Sequence, residues 1–245
     1  MQAGNAIYDG PDDLPDLIPV FPLPEALLLP RGQMPLNIFE PRYMAMVDHA
    51  MSGDRIIGMV QPLPAGQGLP QVETAYDEAS PEGTAAEAGQ DEPGLFAVGC
   101  AGRITSYSET GDGRYMICLT GISRFRILEE VEPESGFRRC RVSAIDFASD
   151  FIEDAGSDRV DRDHLLETFR LYLDANQLEA DWDSIEKASN ETLVNALSMM
   201  SPYGMAEKQA LLEAPDLGTR AETLIALTEM SLARRGDGNA ASQLQ

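Results

Sequence analysis

The sequence predicts an α+β protein, with an N-terminal twisted β pseudobarrel carrying one inserted helix and a C-terminal helical bundle. Three observations carry that prediction. Short apolar or period-two runs fill residues 17 to 150, a single helical-period segment interrupts them at 41 to 52, and the period turns helical after a polar stretch at 148 to 160.

Residues 1 to 16, rich in Gly, Pro and Asp, read as a flexible arm. The following LIPVFPLPEALLLP is cut by Pro19, Pro22, Pro24 and Pro30, each of which fixes φ and removes a ladder donor. Edge or crossing segments are expected there, with MPLNIF at 34 to 39 as a further strand. At IFEPRY the chain turns into a helix. Pro41 suits the first helical position, Phe39 and Met44 have the spacing of a hydrophobic staple, and Gly53 stands where a C-terminal glycine belongs. Met44, Val47 and Met51 form the apolar stripe, flanked by Tyr43, Met46 and Ala50.

RIIGMVQP at 55 to 62 reads as a buried strand. Residues 64 to 94 differ in kind, with seven acidic residues and no basic one between Gln71 and Glu92. So little apolar surface cannot offset the entropy of ordering, and a mobile acidic insertion is expected. LFAVGCAGRITSYSE and RYMICLTGISRFRILEEVE, joined through Gly111, Asp112 and Gly113, form a hairpin signal. RRCRVSAIDF follows with Cys140, Val142 and Ala144 on one face and Arg139, Arg141 and Ser143 on the other.

In the bundle, 151 to 235, one stripe is Leu165, Leu166, Phe169, Tyr172 and Leu173, and a second is Leu193, Val194, Leu197 and Met200. Leu211 and Leu212 belong to a short third helix, and Thr219 with Glu222 has capping-box spacing for the last helix. Residues 236 to 245 are expected to be a disordered tail.

The net charge of −23 disfavours phosphate backbones and anionic lipids as partners, because affinity for both comes from Lys and Arg. No apolar run approaches the roughly 18 residues of a membrane span, and the N-terminus lacks a basic and apolar leader, so a cytoplasmic location with no membrane partner is expected. Cys100, Cys118 and Cys140 are widely spaced and read as buried free thiols. Both lysines, Lys187 and Lys208, follow Glu, outside any phosphate-cradling Gly-Lys-Ser/Thr loop. Lys208 reads as a helix-surface cation rather than half of a Ser-Lys dyad. His49 and His164 lack a second His at metal-ligand spacing. Arg124, Arg126, Arg138, Arg139 and Arg141 form the one basic cluster. It is either an anion or RNA groove or a set of arginines neutralised by Glu40, Glu129, Glu130 or Glu132.

PVFPLPEALLLPRGQMPLNIFEPRYMAMVDHAM, GCAGRI, DGRYMICLTGISRFRI and NALSMMSPYGMAEKQALLEAPDLGTRAETL together resemble the N-terminal substrate-binding domain of Lon, the ATP-dependent protease, over about residues 17 to 235. The resemblance implies a PUA-like pseudobarrel followed by a helical bundle. It also implies a non-catalytic module that binds unfolded or exposed polypeptide, with polypeptide clients or a protease as partners and no cofactor or metal. The chain ends before Lon's ATPase and peptidase modules, so a free-standing binding protein is expected rather than an enzyme. RNA binding through the arginines is the alternative, and a small-molecule enzyme ranks behind it; oligomeric state is not readable. Candidate polypeptide contacts are Pro35, Leu36, Met46 and Met51. Phe39, Glu40, Pro41, Arg42, Tyr43, Arg124, Phe125 and Arg126 are expected to form a structural junction. There Glu40 would pair with Arg42, Arg124 or Arg126 above a packed Phe39, Tyr43 and Phe125, and its loss would cost about 1 to 3 kcal/mol were that arginine partly buried.

Overall fold

A computed structural model of the chain describes residues 1–64, 93–134 and 136–242. The acidic insertion foreseen at 64 to 94 falls almost wholly outside them. In chain order the elements are β1 (Gln2–Ala3), β2 (Ala6–Ile7), β3 (Leu17–Pro22), β4 (Gln33–Ile38), α1 (Pro41–Ser52), β5 (Ile56–Val60), β6 (Val98–Glu109), β7 (Tyr115–Glu134) and β8 (Phe137–Ser143). The helices that follow are α2 (Arg162–Asn176), α3 (Trp182–Lys187), α4 (Asn190–Met200), α5 (Met205–Glu213) and α6 (Leu217–Ser242).

Five strands close into a ring in the order β3, β5, β6, β7, β8, because β8 is antiparallel to both β3 and β7. β3 is parallel to β5, and the chain between them supplies β4 and α1. β3 is a crossing strand. Its Leu17–Val20 half lies beside β8 and its Val20–Pro22 half beside β5, so Pro19 and Pro22 each face a single neighbour in register. β4 hangs outside the ring and, among the described residues, pairs only with the first six residues of β7.

Ile18, Val20, Ile56, Val60, Ala101, Ile122, Phe125, Cys140 and Val142, drawn from all five ring strands, pack as one buried cluster. The alternation of a strand sends Ile57 and Met59 the opposite way, into a larger cluster shared with α1 and the helices. A bulge at Ile122 changes the facing of β7, so Ile117 and Leu119 join the larger cluster while Ile122 and Phe125 fill the ring. Room for the Phe125 ring comes from Gly58 and Gly99, where an added Cβ would stand 2.8 and 2.6 Å from its Cζ. At Gly121 a Cβ would lie 2.1 Å from the Leu29 carbonyl oxygen, so only glycine lets that loop press against β7.

Several local expectations are corrected. Residues 1 to 16 are not a loose arm: β1 pairs with β2, and Ala3, Tyr8 and Leu14 pack against the ring cluster. Gly53 has φ −122°, and the left-handed residue after α1 is Arg55, at φ 62°. The buried stripe of α1 is Tyr43, Met46, Val47 and Ala50, with Met44 and Met51 only half-buried, because β8 and β5 flank the helix as well as β3. Met200 leaves the predicted stripe and is 81% exposed at the end of α4. The short helix α3, which periodicity did not reveal, is capped by Asp181, whose carboxylate accepts the Ser184 N–H. α6 begins at Leu217, before the predicted capping box, because Asp216 Oδ1 accepts the Thr219 N–H at 2.9 Å. Its backbone continues to Ser242, beyond the predicted start of the tail at 236.

Candidate functional site

The end of β3, the end of β4 and the first turn of α1 enclose a groove of ≈ 420 Å³. Its floor and walls come from Phe21, Pro22, Leu23, Pro24, Leu36, Ile38, Phe39 and Tyr43, and Pro62 and Pro93 stand at the two boundaries of the acidic insertion. Four prolines thus converge on one cleft. Proline brings a rigid apolar ring and no N–H, so such a wall is apolar in its backbone as well as its side chains. Phe21 and Tyr43 pack with ring centroids 4.3 Å apart and join the groove to the core beneath. Charge is confined to the rim. Arg42 Nε donates to Glu40 Oε2 at 3.1 Å and its guanidinium lies 4.6 Å from the Tyr43 ring centroid; Arg138 forks onto Glu130 at 2.6 Å and donates to the Pro93 carbonyl at 2.8 Å.

The residues expected to form one junction separate into two places. Phe39, Glu40, Arg42 and Tyr43 meet at the groove, where Leu36, one of the expected polypeptide contacts, joins them. Pro41 is exposed at the first position of α1, and Pro35 is exposed on β4 without lining the groove. Phe125 lies inside the ring and shares no cluster with Tyr43, while Phe39 is 61% exposed rather than packed into the core. Met46 is fully buried, which removes it as a contact, and Met51 rests half-buried against the same core. Phe21, Leu23 and the prolines, which line the groove, were not among the expected contacts. The signal was the proline spacing itself, which marked a strand end but not what the strand end faces.

The basic cluster is dispersed by its partners. Arg124 is buried, donating through Nε and Nη2 to the two Asp150 oxygens at 2.9 and 2.8 Å and through Nη1 to the carbonyls of Leu212 and Ala214. Arg126 pairs with Asp146 at 3.0 Å, Arg138 with Glu130, and Arg141 approaches Glu129 at 3.9 Å. Neutralisation therefore prevails for these four, though Asp150 and Asp146 were not among the expected acids. Glu40 takes Arg42, not Arg124 or Arg126. With both side chains nearly half exposed, that ion pair contributes less than the 1 to 3 kcal/mol expected of a buried one.

Lys208 also departs from expectation. It is buried at the ring–bundle junction, donating Nζ to the Met199 carbonyl at 2.6 Å, and burial lowers its pKa against the smaller opposing pull of Glu25. Gln61 and Gln209 continue this polar seam: Gln61 Nε2 reaches the Met205 carbonyl at 3.0 Å, and Gln209 Nε2 reaches the Val98 carbonyl at 3.1 Å. Cys100 and Cys140 are buried free thiols whose pKa burial raises, that of Cys140 to about 12, while Cys118 is half-buried. His164 meets Glu229 at 3.1 Å. Among the described residues no group of three or more His, Cys, Asp or Glu is placed to hold a metal, and no helix is long and apolar enough to cross a membrane.

Comparison with known proteins gives one answer. The profile of the ATP-dependent protease La (LON) substrate-binding domain matches residues 17–229. Lon protease 2 of Myxococcus xanthus is 24% identical over 226 residues, which cover 88% of this chain and 24% of that protein. Lon protease of Escherichia coli K12 is 24% identical over 227 residues, 88% of this chain and 25% of its own. The chain thus spans about a quarter of the length of these relatives. The fold is that of the Lon N-terminal domain protein from Xanthomonas campestris (TM-score 0.55, 20% identity, covering 86% of this chain and 97% of that one). It is equally that of the N-terminal domain of Mycobacterium avium complex Lon protease (TM-score 0.57, 17% identity, covering 87% and 98%).

Proposed function

The chain belongs to the Lon substrate-binding domain family, and from that premise we propose that it is a non-catalytic module that receives extended, unfolded polypeptide in the groove between β3, β4 and α1. The observation that carries this reading is the juxtaposition of an apolar cleft with a strand edge. β4 has a neighbour on one side only among the described residues, so its outer backbone can bond a passing chain while side chains of that chain enter the cleft. Pro35 interrupts the donors on that strand, which suits transient capture and opposes continuous pairing with another copy. The half-buried wall residue Leu36, the edge of the largely buried Tyr43 ring and the open Phe39 supply apolar contact, and the ion-paired rim keeps the cleft from being a general anion or cation site. In this reading the bundle braces the ring, and delivery of the captured segment to a separate ATP-dependent protease is the role that follows.

The test is fluorescence anisotropy with a labelled, permanently unfolded polypeptide, such as a reduced and carboxymethylated protein, against its folded parent. The unfolded form is expected to bind and the folded form not to. Leu36→Asp and Phe39→Asp should each weaken binding at least tenfold while leaving the melting temperature nearly unchanged. Equal binding by both variants and the parent chain would remove the groove from the reading.

A further inference from the structure

A second, smaller cavity, of ≈ 130 Å³, lies where the ring meets the bundle, lined by Arg124, Ser149, Asp150, Glu191, Asp216, Arg220 and neighbouring backbone. It shares no residue with the apolar groove. The charge balance is uneven. Asp150 is answered by Arg124, Glu191 by Arg31 at 2.6 Å, and Asp216 by Arg159 at 2.6 Å. Arg220, only 4% exposed, makes no ion pair with any described carboxylate. Its Nε donates to the Leu211 carbonyl and its Nη1 to Asn195 Oδ1, while Nη2 is buried without a hydrogen-bond partner. Asp150 and Glu191 act on it only at longer range, each being directly paired with another arginine, and a buried guanidinium with no ion pair of its own is costly. Burial first and the neighbouring Arg124 second bring its pKa down from 12.5 to about 10, against the opposing pull of Asp150, Cys100 and Glu191.

The start of α6 adds to the same field. Asp216 Oδ1 takes the Thr219 N–H and the Asp216 carbonyl takes the Arg220 N–H, which leaves the first-turn N–H groups of Leu217 and Gly218 outside those caps, at the positive end of a 26-residue helix. We propose that this junction cavity is a binding site for one small tetrahedral oxyanion of the phosphate or sulfate class, held by Arg220 and the N-terminus of α6. The anion supplies the direct ion-pair partner that Arg220 lacks and an acceptor for its Nη2, and it ties the bundle to the ring beside the Arg124–Asp150 pair. Size sets the class: the cavity is well below the roughly 300 to 1,000 Å³ of sites for drug-sized ligands, so a nucleotide does not fit and a single free anion does.

The experiment uses the full chain in phosphate-free buffer, titrated with inorganic phosphate, with sulfate, and with chloride at matched ionic strength. Binding is followed by isothermal calorimetry and melting temperature. One saturable site for phosphate or sulfate is expected, with preference between them identifying the anion. General stabilisation by ion exclusion rises without saturating and does not depend on any one side chain. Arg220→Gln should weaken the saturable binding at least tenfold. Because that residue is buried and the variant could fail to fold, Ala155→Leu provides a second arm: it fills the half-buried lining position and leaves Arg220 in place, so it should fold and lose the response. Unsaturable behaviour matching chloride, or folded variants that bind as the parent does, would overturn the site.

Discussion

Arg124 and Asp150 form a closed three-bond unit, in which the carboxylate accepts both arms of the guanidinium and, through Oδ2 at 2.9 Å, the backbone N–H of the same arginine. The guanidinium also lies 4.7 Å from the Phe147 ring centroid and reaches two carbonyls at the end of α5, so one side chain joins β7, the turn after β8 and the bundle. Breaking such a pair strands a buried charge. Asp150→Leu alone should lower stability by about 3 to 5 kcal/mol, whereas replacing both partners by apolar residues, Arg124→Met with Asp150→Leu, should cost much less than the two single changes summed. Urea unfolding of the four proteins gives the coupling; additivity would contradict the geometry.

Glu40→Ala should cost less than about 1 kcal/mol, because its contact with Arg42 is a water-exposed ion pair at the groove rim. Raising the salt concentration should erase what difference there is. A loss of several kcal/mol in thermal or urea unfolding would show that Glu40 holds something deeper.

Met46 and Leu36 should behave oppositely. Met46 is sealed under α1, and Met46→Ala should destabilise by about 2 to 5 kcal/mol with little change in polypeptide affinity per folded molecule. Leu36 is on the wall, so Leu36→Asp should reduce affinity with a small stability cost. Measuring both quantities for both variants separates core from surface.

Asp216 caps α6, and its carboxyl pKa is held below the usual carboxylate range by the Thr219 N–H first and also by Arg159. A carboxyl depressed in the folded state stabilises it above the unfolded pKa of about 3.9, and that contribution is lost as pH falls through the lower folded value. Asp216→Ala should therefore cost about 0.5 to 2 kcal/mol at neutral pH, and the gap to the parent protein should narrow below about pH 4. A gap independent of pH in acid unfolding would mean that the cap acts without its charge.

Local patterns in the chain foretold local structure. The Pro41 start of α1, the Gly111-Asp112-Gly113 hairpin and the α2 stripe follow from dihedral limits and apolar spacing within a few residues. What was hidden depends on distance along the chain. Asp150 reaches Arg124 across 26 residues, and Lys208 is buried because α5 meets the ring at β6, which nothing in its neighbours Glu207 and Gln209 conveys. The groove was half legible. The prolines marked where strands stop, but their convergence arises from β3 lying parallel to β5 with β4 outside the ring, a pairing no single segment encodes. Tyr8 and Leu14 illustrate the converse: a polar, proline-rich start still anchors when two apolar side chains find the ring.

The attachment of β4 through β7 alone, among the described residues, sets a hierarchy of rupture. Five strands share their ladders around a loop, so none can leave without opening two seams, but β4 can peel after the loss of one. The wall of the cleft is consequently the part most able to breathe while the remainder holds, and its amides should exchange with solvent ahead of those in β5 and β6. A cleft built this way can widen its mouth at the cost of a single ladder.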